Sequence, residues 1–409
     1  MALLAFGMSM LWSSDRALLD EFIVPSLSKS VPSPSSYYEN ASKVVNSMPT
    51  FQRSFPAIIT TAASFGNQQS REYKFPWEDS PVLPEWMKEY FAWHRQQRLE
   101  LEQSKNWEAY KFLIMRCLKK DTCGGTSDRL YKIPLVIRLA AEAKRLLFIK
   151  WGNRPARLEE FLLPPPGGLD WRVPSWLVKK LKVKKDAYIN NDNFYKGILE
   201  NYSMNQETVV DVMCTFGKNH GQQFYDKKLK RGEPNFETVF RDVWMSLFEP
   251  APPIQVLIDK AFSELGLNAG NYTSVHIRSQ FLSDNRFDNA ANENAVNCGL
   301  KLQPDLPLFV ASDSQEVIKY LVNYGSRILK RVVARELNGT TLHLDRGATF
   351  LNKPLRLSEP VDRFYDTFVD LYLMAGAKCV SYGKGKYGKL ASLISHDPNC
   401  TMVHVESTC

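Results

Sequence analysis

From residue 252 to residue 405 the chain alternates short, continuously apolar runs with longer stretches whose apolar residues recur every three or four positions. The runs are "YTSVHI", "LPLFVAS", "RVVA", "KCVSY" and "TMVHV"; before and between them lie "PIQVLIDKAFSELGL", "AVNCGLKL", "SQEVIKYLVNYG", "DRFYDTFVDLYLMAGA" and "GKYGKLASLIS". A short apolar run without polar alternation is a strand buried on both faces, and a period of 3.6 marks an amphipathic helix. Strands of this kind joined by helices form a parallel sheet covered on both sides. Gly266 and Gly325 are expected to close two of the helices, and Ser314 to cap one.

The first half uses the same grammar less regularly. "PEWMKEYFAWHRQQRLELEQ" predicts a helix with Trp86, Tyr90, Phe91, His94 and Leu99 on its apolar face. "KFLIMRC", "GGTSDRL", "YKIPLVIRLAAEAKRL" and "LFIKW" then read as strand, glycine turn, helix and strand, a βαβ unit. A chain of 409 residues is too long for one ordinary core. The expected architecture is α/β: an irregular Ser/Pro/Asn-rich arm or stem over 1–85, then two Rossmann-type lobes, 86–250 and 251–409, divided near "LFEPAPPI". Ligand belongs in the cleft between them, over the carboxyl ends of the strands.

Composition narrows the function. Hydrophobic content of 44% with 23% charged residues is that of a globular protein, and the net charge of +8 favours an anionic ligand. The basic runs at 179–185 and 227–231 read as solvated faces, because no helix-turn-helix spacing or aromatic RNA signature accompanies them. A nucleic-acid partner is therefore not expected. Seven cysteines include no CxxC pair and no histidines at zinc spacing, so no metal is expected, and Cys214 and Cys379 read as core residues. Five sequons, at Asn40, Asn201, Asn271, Asn338 and Asn399, point to a secretory compartment, with Asn271 the least suited to carry glycan because it abuts a buried strand. The apolar "MALLAFGMSMLW" is too short for a membrane span; it fits a signal core, the tail of an anchor lost from or lying outside this chain, or an amphipathic helix.

Three strand ends carry polar groups suited to an anion. In "VHIRSQF", His276 and Arg278 face one side of a strand end, and an arginine buried there needs a partner, either a ligand phosphate or a carboxylate such as Asp313 or Asp370. "FVASDS" places Ser312 and Asp313 at the next strand end, where Asp313 can meet ligand hydroxyls or simply cap a helix. "CVSYGKGKYGK" sets Ser381, Tyr382, Gly383, Gly385 and Gly388 before a helix, and "GGTSDRL" does the same with Gly124, Gly125, Asp128 and an outward-pointing Arg129; either turn can cradle phosphate or be an ordinary surface turn.

Together, "VHIR", "FVASDS" and "FVDLYLMAGAKCVSYGKGKYG" resemble the nucleotide-binding half of GT-B fucosyltransferases, a group that includes protein O-fucosyltransferases, α-1,6-fucosyltransferases and plant xyloglucan fucosyltransferases. "CGGTSDRLYKIPLVIRLAAEAKRLLFIKW" with "LEEFLLPPPGGLDW" is similar to that group's N-terminal glycine loop, helix and strand. The likeness covers roughly 112–178 and 270–400. It implies a GT-B-like fold and a metal-free transferase, with no cofactor, moving fucose from GDP-fucose to a glycan or glycoprotein hydroxyl in the Golgi or endoplasmic reticulum lumen. It implies that Arg278 grips the GDP diphosphate with His276 beside it, and that Asp313 and Asp370 contact the guanosine. The Ser381–Gly388 turn would offer N–H groups to phosphate, and Gly124, Gly125 and Arg129 would close the site from the other lobe. Two positions depart from the group's pattern: Ser279 stands where a second basic residue is usual, and Ser127 or Asp128 where the glycine loop carries asparagine. Asp128 is the candidate base, with Glu159 and Glu160 the other carboxylates of that lobe. Two alternatives stay open: a transferase of another nucleotide sugar, and a catalytically silent relative that binds glycan or nucleotide.

Overall fold

The computed structural model describes residues 75–118, 123–152, 155–189, 206–215, 221–279, 288–337, 342, 344, 360–404 and 409. The arm expected over 1–85 lies outside these up to residue 74, as do Asn40, Asn201 and Asn338. Helix α1 (Glu85–Ser104) is followed by β1 (Phe112–Cys117), α2 (Thr126–Leu130), α3 (Ile133–Glu142) and β2 (Leu146–Trp151). Next come β3 (Leu162–Leu163), β4 (Tyr188–Ile189), β5 (Val209–Met213), α4 (Gly221–Asp226), α5 (Phe236–Leu247) and β6 (Glu249–Pro250). Strands β2, β1, β5 and β4 lie side by side in that order and all pair in parallel, while β3 and β6 form a small antiparallel pair.

The second half runs α6 (Pro252–Leu265), β7 (Thr273–Ile277), α7 (Asn289–Leu302), β8 (Leu308–Ser312), α8 (Gln315–Arg327), β9 (Val332–Ala334), α9 (Tyr365–Ala375), β10 (Cys379–Tyr382), α10 (Lys386–Leu393) and β11 (Thr401–Val403). Its sheet is parallel throughout, in the order β11-β10-β7-β8-β9. From β7 the chain steps outward to β8 and β9, then returns to the other side of β7 as β10. The direction of winding reverses between β7 and β10, and a crevice opens at the carboxyl ends of strands where that happens. The "VHIR" and "SYGKG" segments end those two strands.

Several local expectations change. Helix α1 buries Met87, Tyr90, Phe91, His94, Arg98 and Leu101, whereas Leu99 is 46% exposed and Trp86 only partly covered. The 3.6 period run from Met87 selects this face, one step round from the one read through Trp86 and Leu99. Gly266 closes α6 in the left-handed region at φ 57° and Ser314 caps α8, but α8 continues through Gly325 to Arg327. Gly325 is small because Val332 of β9 packs where its Cβ would be. Cys379 is not a plain core residue: it is bonded to Cys400, while Cys117 pairs with Cys123 and Cys298 with Cys409. Asn271 abuts β7 as expected, two residues before it, but is exposed.

One continuous apolar core runs through both halves. Phe161 stacks on Phe368 at 4.6 Å, and the Trp244 indole donates to the Tyr372 hydroxyl at 3.3 Å. Aromatic packing is thus shared between the two halves of the described chain.

Candidate functional site

The crevice holds a cavity of about 130 Å³ that opens to solvent. Its floor is the carboxyl end of β7 and β8, with His276, Arg278, Ala311, Ser312 and Asp313. Gly125, Thr126, Ser127 and Asp128 form one wall; Thr367, Asp370, Tyr387, Leu342 and Leu344 form the other. Seven of the residues expected at the site therefore meet there: Gly125, Asp128, His276, Arg278, Ser312, Asp313 and Asp370.

β7 is buried along its whole length, so it is a rigid mount for the side chains at its end. His276 is 7% exposed, its ring 5.2 Å from that of Tyr387, and its Nδ1 is buried with no hydrogen-bond partner in the protein. Burial, with Arg278 and His404 adding to it, lowers its pKa to about 3, so it is a neutral imidazole. That nitrogen faces the start of α10, since a Cβ on Gly388 would lie 3.0 Å from it, while the residue as a whole lines the cavity. Arg278 lies against the turn after β10. Gly385 has φ 98°, and a Cβ there would come within 2.8 Å of Arg278 Nη1. Gly388 admits the start of α10 over His276, since its Cβ would sit 2.9 Å from His276 Cβ.

These two glycines thus seat the arginine and the histidine rather than line the cavity. Ser381, Tyr382 and Gly383 also stand behind the wall. Ser381 is fully buried with its hydroxyl 2.9 Å from His404 Nδ1, and a Cβ on Gly383 would lie 2.6 Å from His404 Nε2. The turn expected to present its own groups to phosphate packs against Arg278 and His276 instead, because close backbone packing and phosphate cradling call for the same glycines. A Gly385→Ala variant should lose roughly 1–3 kcal/mol of stability from strain at positive φ and bind anionic ligand more weakly, read by thermal unfolding and titration; unchanged values in both would show that the turn does not seat Arg278.

Asp313 accepts a bond from the Ser279 backbone N–H at 2.7 Å, and Ser312 Oγ lies 3.3 Å from Ser279 Oγ. Ser279 is thus a tie between the ends of β7 and β8. Asp370 is bound to Arg335 at 3.0 Å, and Asp366 takes the same guanidinium at 2.7 Å. Burial and the neighbouring Asp366 push the Asp370 carboxyl up while Arg335 pulls it down. Of the two carboxylates considered as partners for Arg278, Asp370 has its ion pair elsewhere.

On the opposite wall Gly124 has φ 73°, and the Asp128 carboxylate folds back to accept the Gly125 N–H at 3.2 Å. That bond makes Asp128 a brace of its own turn more than a base aimed into the cavity, since a base must reach the acceptor proton. Arg129 does not point outward. It is fully buried with its guanidinium 4.7 Å over the Trp151 ring, and it donates to the carbonyls of Gly124 at 3.0 Å and Leu344 at 3.3 Å. It joins the glycine loop to the Leu344 segment. Sequence reading missed Lys132, buried and donating to the Asp128 and Cys214 carbonyls; a lone lysine before "IPLV" was its only signal. It also missed Tyr387 and Thr367, which are bonded to each other, hydroxyl to carbonyl. Glu160 pairs with the exposed Arg157 at 3.1 Å, and neither it nor Glu159 lines the cavity.

Buried neutral histidines make the fold acid-sensitive. His276 at about 3, and His404 and His94 at about 4, all lie below the ordinary 6.5, with burial the main cause for each. The unfolded chain accepts protons that the folded one refuses. Their contribution is complete above pH 6.5 and is lost as pH falls from there toward 4, at up to about 1.4 kcal/mol per pH unit for each histidine. Denaturant titrations at about pH 7 and about pH 5 should show the drop; equal stabilities would contradict it.

No protein-family model and no curated protein matches the chain. Solved structures do. A mutant of Arabidopsis thaliana FUT1 in complex with GDP matches 77% of this chain and 78% of its own, at 11% identity and a TM-score of 0.52. NodZ α-1,6-fucosyltransferase, co-crystallised with GDP, matches 70% and 93% at 15% identity and a TM-score of 0.42. POFUT1 in complex with GDP-fucose matches 72% and 98% at 9% identity and a TM-score of 0.41. The chain has the GT-B fold that the resemblance implied, built on the parallel sheets that the alternation of strands and helices led one to expect.

Proposed function

We propose that the protein is a glycosyltransferase that takes fucose from GDP-fucose and passes it, without a metal, to a hydroxyl of a glycan or glycoprotein. The observation that carries this reading is the meeting of Arg278, His276 and the Gly125–Ser127 turn in one cavity at the carboxyl ends of β7 and β8 in a parallel sheet. The likeness in fold to FUT1 solved with GDP supports a guanine nucleotide there.

In the proposed reaction the bond from the sugar to the diphosphate lengthens ahead of full attack, and negative charge gathers on the departing nucleotide. Arg278 is forked, permanently charged and set on a buried strand, so it meets that charge without reorganising. His276, neutral, donates or accepts at a ribose or phosphate oxygen. The start of α2, Thr126 to Asp128, lines the same space from the other wall. As the acceptor bond forms, the hydroxyl proton becomes acidic and passes to an oxygen of the leaving phosphate, which lessens the need for a protein base. The three disulfides fit a secretory compartment, and the Golgi or endoplasmic reticulum lumen is the proposed location.

Ser279 supports a second reading. With a hydroxyl where a second cation is usual, the cavity could hold nucleotide without driving transfer. Calorimetric titration with GDP, GDP-fucose and UDP, followed by an assay for GDP release, separates the possibilities. Guanine-selective binding with turnover supports a transferase; selective binding without turnover supports the silent relative; equal or absent binding of the three nucleotides ends the GDP-fucose proposal.

A further inference from the structure

The glycine loop on the cavity wall begins at a disulfide. Cys117 ends β1, Cys123 directly precedes Gly124, and the two are bonded with their Cα atoms 6.0 Å apart. Cys214, the residue after β5, keeps its thiol and is fully buried. The sulfur atoms of all three cysteines lie within 4.8 Å of one another. The sheet explains this: β1 and β5 pair in the register Arg116↔Met213, so Cys117 and Cys214 are the next positions at two adjacent strand ends. The Cys214 sulfur is 3.9 Å from the Cys123 carbonyl oxygen, which places it on the loop's side. The Lys132 ammonium donates to the Cys214 carbonyl and so helps to hold that residue beside the loop.

We infer that Cys214 is an exchange site for this disulfide. Its thiolate attacks Cys123 Sγ, a Cys123–Cys214 bond forms, and Cys117 leaves as a thiolate that takes up the proton Cys214 gave up. One S–S bond forms and one breaks, so no oxidant or reductant is consumed. The exchange moves the covalent tether of the Gly124–Asp128 turn from β1 to its neighbour β5. The enclosed sequence separation rises from 6 to 91, so the new bond restrains the unfolded chain more strongly than the old one. The cavity wall thereby has two covalent settings. That this wall faces a nucleotide rests on the proposed function; the sulfur chemistry does not.

The test is a disulfide map of the full chain prepared without reductant, with thiols blocked by iodoacetamide on denaturation and peptides identified unreduced by mass spectrometry. The expected result is two populations, Cys117–Cys123 with label on Cys214 and Cys123–Cys214 with label on Cys117. In a Cys117→Ser variant a Cys123–Cys214 bond should form and leave neither residue labelled. Label confined to Cys214 in the wild type, or label on both Cys123 and Cys214 in a Cys117→Ser protein whose Cys298–Cys409 and Cys379–Cys400 bonds are intact, would overturn the inference. If Cys117→Ser loses those two bonds it has not folded, and the wild-type map decides. A failure of GDP to bind would leave these maps unchanged, so the two readings fail separately.

Discussion

An Arg278→Ala variant loses GDP binding by about 100-fold or more while its unfolding midpoint stays near that of the wild type. Charge-assisted hydrogen bonds to phosphate are worth roughly 1.5–3 kcal/mol each, and a bidentate contact supplies two. About 3 kcal/mol is about 100-fold in affinity. Stability should change less than binding, because Arg278 lines a cavity partly open to solvent, where water can hydrate the groups it leaves. Calorimetry and thermal unfolding on the same preparation decide the point. If the midpoint falls and GDP still binds, Arg278 is the structural half of an ion pair, and the cavity takes its anion elsewhere.

The largest expected effect on stability is at Arg335. Its guanidinium serves both Asp366 and Asp370, with all three side chains less than one-quarter exposed. Arg335→Ala leaves two carboxylates facing each other with no cation between them. Breaking a buried pair by removing one partner costs about 3–5 kcal/mol, and the repulsion between the two aspartates adds to it. For a chain of this size that lowers the unfolding midpoint by about 5 °C. Asp370→Asn should cost less, because Asp366 still pairs with Arg335. A midpoint for Arg335→Ala within a degree or so of wild type would show that the three side chains form no cooperative unit. It would also return Asp370 to the roles considered for it at the nucleotide.

How far the site could be read from sequence follows from the kind of interaction involved. The buried strands and amphipathic helices were legible because burial imposes a local pattern, as in "SVHI" and "LFVAS". His276 and Arg278 were legible because a strand's alternation fixes which residues share a face. Arg335 was not, since its partners lie 31 and 35 residues away. Nor were the roles of Gly383, Gly385 and Gly388: each is small because a side chain from another strand or the turn packs on it, and that contact leaves no local trace. Arg129 misled for the opposite reason. A charged residue after a glycine turn reads as exposed, but here Trp151 and two carbonyls take it into the core. The disulfides could not be paired from spacing, since Cys298 and Cys409 meet across 111 positions.

The central claim is that the anion facing Arg278 is a nucleotide diphosphate. A crystal structure of the protein with GDP tests it most directly. The account predicts the diphosphate within hydrogen-bond distance of the Arg278 guanidinium, between the ends of β7 and β8 and the Gly125–Ser127 wall, with the His276 ring beside it. GDP bound elsewhere, with Arg278 paired to Asp313 across an empty cavity, would contradict it.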